Sequence, residues 1–357
     1  MTAIVLAVVL AYAALWTVDP DAIFTFGTKT GVMTAPVSGY GFATDLSGLS
    51  KSQLNQQLDA MQATGVTWVR YDLSWAQVQP NSASQYNWAA SDLVTKAARA
   101  HGFKVLMIVD FAPKWAQAHG CTLGELCAPA SPIAYATFAG AAAKHYQPMG
   151  VDDWEIWNEP NIAFRFEPTA NPALYVRMLK DSYAAIKRVE PHGVVITGGT
   201  SPSATDSKDY SPANFISDLY QDGAKGWFDA VGAHPYTYPI TPDQSQSTDA
   251  WGQLTGVHDI MASYGDGNKQ IWITEYGAPT NGPANSGDYV SEDAQATMAT
   301  QATNDIQGMP WVGPFFWYSF MDVGTSTSTN QNFFGLVRAD GSQKPAYAAF
   351  VNAVSGD

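Results

Sequence analysis

Two stretches of the chain end in carboxylates placed where chemistry can happen. The first is Trp154-Glu155-Ile156-Trp157-Asn158-Glu159-Pro160-Asn161, an apolar, β-prone run closed by an Asn-Glu pair and a proline. Proline cannot donate to a sheet ladder, so the strand is expected to end at Glu159. The second is Gln270-Ile271-Trp272-Ile273-Thr274-Glu275-Tyr276-Gly277, with the same design: apolar strand, carboxylate, then a loop with Gly and Pro. Two glutamates at two strand ends can serve as proton donor and nucleophile at an acetal carbon, which is the chemistry of glycosidic bond cleavage.

Each residue carries a specific expectation. Glu159 must hold a proton near neutral pH to act as an acid, and desolvation plus a second carboxylate should raise its pKa. Glu155 lies roughly 13 Å deeper at strand rise. It reads as a barrel-interior residue. Glu275 must be ionised to attack, which calls for a cation and hydrogen bonds. Arg70 ends an apolar run, Trp68-Val69-Arg70-Tyr71, where a guanidinium must be paired. It can support Glu275, or form a structural pair with Asp72 or Asp110. Tyr236 could supply a phenol donor. His234, just after a predicted strand, reads either as a site residue or as a satisfied core histidine.

The elements that must position these groups alternate along the chain. Strands are predicted at 39–44, 66–71, 104–109, 151–158, 194–197, 228–234, 270–274 and 312–318. Helices are predicted at 51–64, 88–100, 133–146, 172–189, 212–220, 251–264, 292–307 and 345–354. Strand–helix alternation without a linker predicts an α/β fold, a single-domain (β/α)8 TIM barrel over 37–357. An open doubly wound sheet would want a Gly-rich phosphate turn after its first strand. Gly39 and Gly41 lie inside that strand instead.

Composition narrows the partners. The 357-residue chain is 46% hydrophobic, enough for a large core. Its net charge of −14 repels phosphate backbones, which sets nucleic acid aside. The 12 tryptophans serve a core, sugar stacking, or both. Cys121 and Cys127 are spaced to close a small loop disulfide, or stand as reduced thiols. The apolar stretch from Ala3 to Trp16 is short for a membrane span and matches a signal-peptide core, though no Lys or Arg precedes Lys29. Residues 1–19 are therefore expected to be an export signal or a membrane anchor, cleaved or retained, with 20–36 as a lead-in. The expected location is secreted or held on the outer side of the membrane, with membrane or cell-wall association through that segment.

Taken together, Trp157-Asn158-Glu159-Pro160-Asn161, Ile273-Thr274-Glu275-Tyr276, Arg70, His234-x-Tyr236 and Trp317 resemble clan A of the glycoside hydrolases. Residues 109–115 and 334–347 look most like family 39, in its branch of bacterial exopolysaccharide endoglycosidases, with family 5 a close rival. The resemblance implies a retaining (β/α)8 enzyme acting on a polysaccharide or oligosaccharide, without metal or cofactor, and expected to be a monomer. It implies Glu159 as acid/base and Glu275 as nucleophile. Asn158 would hold the sugar 2-OH, while Arg70 and Tyr236 would position Glu275. His234 would line the subsite that holds the sugar to be cleaved, and Trp317 would form its floor. Asp110 and Trp115 complete the candidate substrate-binding set. Asp110-Phe111 stand where many clan members have a histidine. Trp75, Phe111, Trp115, Phe164, Phe166 and Tyr276 are candidates for further subsites or for packing.

The expected activity is cleavage of β-linked polysaccharide, internally within the chain. The long loops at 200–212 and 236–250 could instead wall off an exo-acting groove. A non-catalytic sugar-binding barrel has no need of two apposed glutamates, and transglycosylation would use the same residues. Retention rests on the resemblance.

Overall fold

The computed structural model describes residues 39–356. The export or anchor segment and its lead-in lie outside the described residues. Within them, strands β1 (Tyr40–Ala43), β2 (Trp68–Ser74), β3 (Lys104–Asp110), β4 (Asp153–Ile156), β5 (Val194–Thr197), β6 (Val231–Ala233), β7 (Ile271–Tyr276) and β8 (Val312–Tyr318) form one parallel sheet. Its order is β5-β4-β3-β2-β1-β8-β7-β6, and bridges Ile196–Ala230 and Thr200–Ala233 join β5 to β6. This is the (β/α)8 TIM barrel, in one domain.

Helices α1 (Lys51–Gln62), α2 (Trp75–Val78), α3 (Ala89–Ala100), α4 (Pro132–Tyr146), α5 (Pro172–Val189), α6 (Pro212–Gln221), α7 (Gln253–Ser263), α8 (Glu292–Gln307) and α9 (Pro345–Ser355) surround it. One device starts several of them. In α4, α5 and α6 a Ser or Asn side chain caps the first turn and a proline follows at the first helical position. The cap satisfies an orphan N–H, and proline has none to lose there.

The strands separate two apolar layers. Inward-facing Ala43, Trp68, Leu106, Ile196, Ala230, Trp272 and Phe316 fill the barrel. The outward residues join the helices in a much larger core. No helix among the described residues is long and apolar enough to cross a membrane. Cys121 and Cys127 form a disulfide.

Two departures from the expected strands shape the site. β4 ends at Ile156 rather than Glu159. Beyond it, Trp157 (φ 68°) and Glu159 (φ 49°) adopt left-handed backbone, which costs energy in residues that carry a Cβ. Neighbours hold this turn in place. Glu159 N–H donates to Gly199 O at 3.1 Å, and Trp157 N–H to Val109 O at 3.0 Å. A Cβ at Gly198 would lie 2.3 Å from Trp157 O, so only glycine admits the turn. The second departure is in β7, whose register against β8 shifts between Ile273 and Tyr276. Ile273 and Tyr276 both face the outer core, so the extra residue leaves Thr274 and Glu275 on the inner side. A bulge thus aims the carboxylate inward.

Candidate active site

At the C-terminal end of the strands lies a cavity of about 500 Å³ whose walls include Arg70, Asn158, Glu159, Arg165, Tyr236 and Glu275. Ligand atoms of Glu159, His234 and Glu275 all fall within 4.8 Å of one another.

Glu275 is held from two sides. Arg70 Nη1 donates to Oε1 at 2.6 Å and Tyr236 Oη donates to Oε2 at 2.7 Å. Burial alone would raise its pKa. The charges of His234 and Arg70 and the Tyr236 hydrogen bond outweigh burial, so the pKa lies below the ordinary value. Tyr236 itself is raised well above the usual phenol range, by burial first and by Glu275 second, so it keeps its proton and donates.

Arg70 is 3% exposed and pairs with neither Asp72 nor Asp110. Its Nε donates to Glu155 Oε2 at 2.6 Å and its Nη2 to Asn158 Oδ1 at 3.0 Å. Glu155, fully buried as expected, also accepts from Gly199 N–H at 2.8 Å and from Thr274 Oγ1 at 3.1 Å. Glu155 therefore anchors the guanidinium that supports Glu275.

Glu159 departs from its expectation. Burial raises its pKa, but His234, Arg165 and the Ser201 hydroxyl together bring it down to about 2. The geometry shows where the proton sits. Thr274 has one hydroxyl proton, and Glu155, ion-paired with Arg70, accepts it. Thr274 Oγ1 can then only accept from His234 Nε2, at 3.0 Å, so Nε2 carries a proton. His234 Nδ1 faces Glu159 Oε1 at 3.1 Å and Glu275 Oε2 at 3.6 Å. A bare lone pair against two carboxylates would be repulsive, so one proton is shared between His234 Nδ1 and Glu159. A Cβ at Gly199 would lie 2.2 Å from His234 Nε2 and 2.6 Å from Thr274 Oγ1, so glycine there leaves room for this contact.

The remaining candidates divide. Asn158 lines the cavity and its amide oxygen is tied to Arg70. His234 is fully buried behind the carboxylates and does not line the cavity as expected. Trp317 is corrected outright. It is fully buried and packs on Tyr276 and on Phe350 of α9. Side chains alternate along a strand, so its neighbour Tyr318 faces inward and lines the cavity instead. Trp115 is 38% exposed, donates its indole N–H to Gln79 O, and lies outside the cavity wall. Asp110 is buried on the inner side of β3, in register with Ser74, and neither of its carboxyl oxygens has a partner. Of the other aromatics, Phe111 lines the cavity, while Trp75, Phe166 and Tyr276 are core. Phe164 is exposed outside it.

Arg165 was not read from the sequence. Its Nε donates to Glu159 Oε2 at 3.1 Å, and its backbone carbonyl accepts from Trp157 Nε1 at 2.8 Å. The available signal was a cation between two phenylalanines in a strongly acidic chain, just after the Asn-Glu-Pro run. Tyr318, Thr274 and Ser201 were likewise missed.

Two groups among the described residues have ligand atoms close enough for a cation. Cys121, Cys127 and Glu167 form one, but both sulfurs are bonded to each other. Glu159, His234 and Glu275 form the other, and Arg165 and Arg70 already neutralise its carboxylates.

A barrel with two apposed glutamates at the ends of its fourth and seventh strands defines a class of carbohydrate-active enzyme. The family model described as "Glycosyl hydrolase catalytic core" matches residues 145–350, more than half of the chain. The chain belongs to that family. None of the curated proteins matches it in sequence. Among solved structures it is similar to a family 39 glycoside hydrolase from the gut symbiont Bacteroides cellulosilyticus WH2 (TM-score 0.70, 24% identity, 88% of this chain covered). The chain spans 63% of that protein's length. It is also similar to GH5_18 from Streptomyces cattleya in complex with GlcNAc (TM-score 0.68, 19% identity, 90% of this chain and 80% of that one). An endo-β-1,4-glucanase from Xanthomonas axonopodis pv. citri has a TM-score of 0.62 at 14% identity, covering 90% of this chain and all of that one. At these identities the likeness establishes the shared fold, in accord with the clan A resemblance and with family 39 or 5.

Proposed function

We propose that this protein is a glycoside hydrolase that cleaves β-linked polysaccharide internally and with retention of configuration. One observation carries the stereochemistry: oxygens of Glu159 and Glu275 approach within 4.8 Å. Retaining enzymes hold their carboxyl groups about 5–5.5 Å apart, whereas inverting enzymes need about 6.5–9.5 Å to admit a water between carboxylate and sugar. Glu275, ionised and clamped by Arg70 and Tyr236, attacks the anomeric carbon. The bond to the leaving oxygen breaks as that oxygen takes the proton shared by Glu159 and His234. A water then attacks the glycosyl-enzyme ester, giving its proton back to the pair and releasing Glu275.

In the empty cleft that proton lies between Glu159 Oε1 and His234 Nδ1, which approach to 3.1 Å. A sugar seated at Glu159 weakens the contact with Arg165 and lets the proton move to the leaving oxygen. Internal cleavage is supported by a second cavity that continues the first past Asp45, Tyr71, Asp72 and Phe111, giving room for more than one sugar. The disulfide favours an oxidising compartment and supports action outside the cytoplasmic membrane.

The test is a product assay on a polysaccharide panel with wild type, Glu275→Gln and Glu159→Ala, with the first-formed anomer read by NMR. Oligosaccharide products of retained configuration, abolished in Glu275→Gln, are expected. Glu159→Ala should stall on natural substrates and be rescued by azide as a glycosyl azide of retained configuration. Inverted products, or activity in Glu275→Gln, would overturn the mechanism. Monosaccharide as the sole early product would move the assignment to exo action.

A further inference from the structure

Arg165 reaches Glu159 from an arm, residues 160–170, that runs from the end of β4 to α5. Among the described residues it is the one Lys or Arg paired with that carboxylate. The other groups facing Glu159 are the Ser201 hydroxyl beyond β5, His234, Tyr236 and Tyr238 beyond β6, Glu275 on β7 and Tyr318 on β8. Burial raises all three phenols, which stay neutral, so positive charge reaches Glu159 from Arg165 and from the proton shared with His234. The Arg165 side chain is half-buried, and an arginine free to swing would contribute little to such a pair. Several contacts hold it. Its neighbour Phe166 is fully buried against Trp157 and Tyr175, and its guanidinium carbon lies 5.5 Å from the Phe164 ring centroid. Two residues on, Glu167 ties the arm to the loop that Cys121 and Cys127 close. Glu167 Oε2 accepts from the backbone N–H of Thr122 at 2.5 Å and of Leu123 at 2.6 Å, and Oε1 from Thr122 Oγ1 at 2.9 Å. Desolvation opposes the charge, but those N–H groups hold the carboxyl below its ordinary value, as an anion. Ala128 N–H also donates to Glu167 O at 3.0 Å. None of residues 122–126 is buried, so the disulfide, rather than a core, gives this loop its shape.

We infer that Arg165 is a positioning residue for Glu159, and that Glu167, seated in the disulfide-closed loop, sets where Arg165 stands. This rests on Glu159 being the acid/base of the proposed function. Glu167 touches neither the cavity wall nor Glu159, so it acts only through the arm. With Glu167 released from the loop, the arm loses its outer support and the guanidinium its fixed distance to Glu159 Oε2. Glu159 then holds its proton more tightly.

The measurement is a pH titration of the Glu159 carboxyl by carbon-13 NMR in the full chain, with glutamate side chains labelled and the signal assigned by its loss in Glu159→Gln. Arg165→Met should make Glu159 about a tenfold weaker acid, and Glu167→Ala, or Cys121→Ser with Cys127→Ser, about a threefold weaker one. Because Glu167 acts through Arg165, adding Glu167→Ala to Arg165→Met should give no further shift. Glu167→Ala alters no buried side chain, so it tests the route even if the serine pair fails to fold. On the best substrate of the polysaccharide panel, the basic limb of kcat/KM should move to higher pH in the same order, since the acid must be protonated to donate. An unchanged titration in Arg165→Met overturns the positioning role. A Glu167→Ala titration matching wild type, or a Glu167→Ala shift that persists in full beside Arg165→Met, overturns the route through the loop. Shifted titrations without hydrolysis by wild type would leave the positioning standing and remove the catalytic reading. Hydrolysis with unshifted titrations would do the reverse.

Discussion

Arg70→Lys isolates what the guanidinium does for Glu275. Arg70 reaches Glu275, Glu155 and Asn158 at once, at 2.6, 2.6 and 3.0 Å, through a planar fork. A lysine ammonium keeps the charge but cannot serve acceptors so arranged. A charge-assisted hydrogen bond contributes about 1.5–3 kcal/mol, and Glu155, the buried competitor, should win the ammonium. Losing the contact to Glu275 should then lower kcat by about 10²-fold, or about 2.7 kcal/mol, with KM changed less than about threefold. The pH profile carries a second readout. Arg70 helps hold the Glu275 pKa below its ordinary value, and attack needs the ionised form. Weakening that support raises the pKa, so the acidic limb of kcat/KM should move to higher pH. Thermal melting checks that the buried pair still folds, because removing one partner outright would cost about 3–5 kcal/mol. A folded variant with kcat within threefold of wild type, or an acidic limb moved to lower pH, would refute the assignment of Glu275 as an Arg70-supported nucleophile.

Thr274→Val removes the acceptor that fixes the His234 tautomer, and should lower kcat about tenfold while shifting the pH profile. A merely structural role would leave that profile in place. Tyr318→Ala should raise KM about tenfold, while Trp317→Phe, which deletes a buried indole N–H without a partner, should leave KM unchanged and the fold at least as stable. Steady-state kinetics and melting curves decide between the two residues. Burial, the largest cause, raises Glu190 to about 7, despite a hydrogen bond from Trp154 Nε1 at 2.9 Å. The contribution of a group raised in this way is fully present below its unfolded value near 4.5 and is lost as pH rises through 7. Glu190→Gln should therefore stabilise the protein at pH 8 by about 1–2 kcal/mol, after allowance for partial solvent access, and give no gain at pH 4. Denaturant titrations at the two pH values measure it; a gain at pH 4 would refute the stated cause.

Sequence patterning reached the barrel because the strands are largely apolar runs and most helices start at a capping side chain. Glu159, Glu275, Arg70 and Tyr236 were legible because charged or phenolic groups at the ends of such runs must have partners. What escaped was register. The bulge in β7 and the early exit of β4 change which side chains face inward, and a shift of one position exchanges Trp317 for Tyr318. Arg165 escaped because it sits on a loop whose path is set by Trp157 Nε1 and by the Asn161 amide bonding to Ser201 and Tyr210, contacts that no local pattern encodes.

The expected pKa of Glu159 failed for a related reason. Burial was visible in the sequence and acts in the expected direction. His234 was visible too, but was placed in the cavity wall rather than behind the carboxylates. From there its Nδ1 answers Glu159 and Glu275 together, while its Nε2 is committed through Thr274 to Glu155 and hence to Arg70. The two glutamates are thus joined by one hydrogen-bonded circuit that fixes one as an anion and lends the other a proton. Their roles differ because Glu275 is clamped by Arg70 and the Tyr236 phenol while the shorter contact to His234 Nδ1 goes to Glu159, and substituting Arg70 or His234 should disturb both carboxylates.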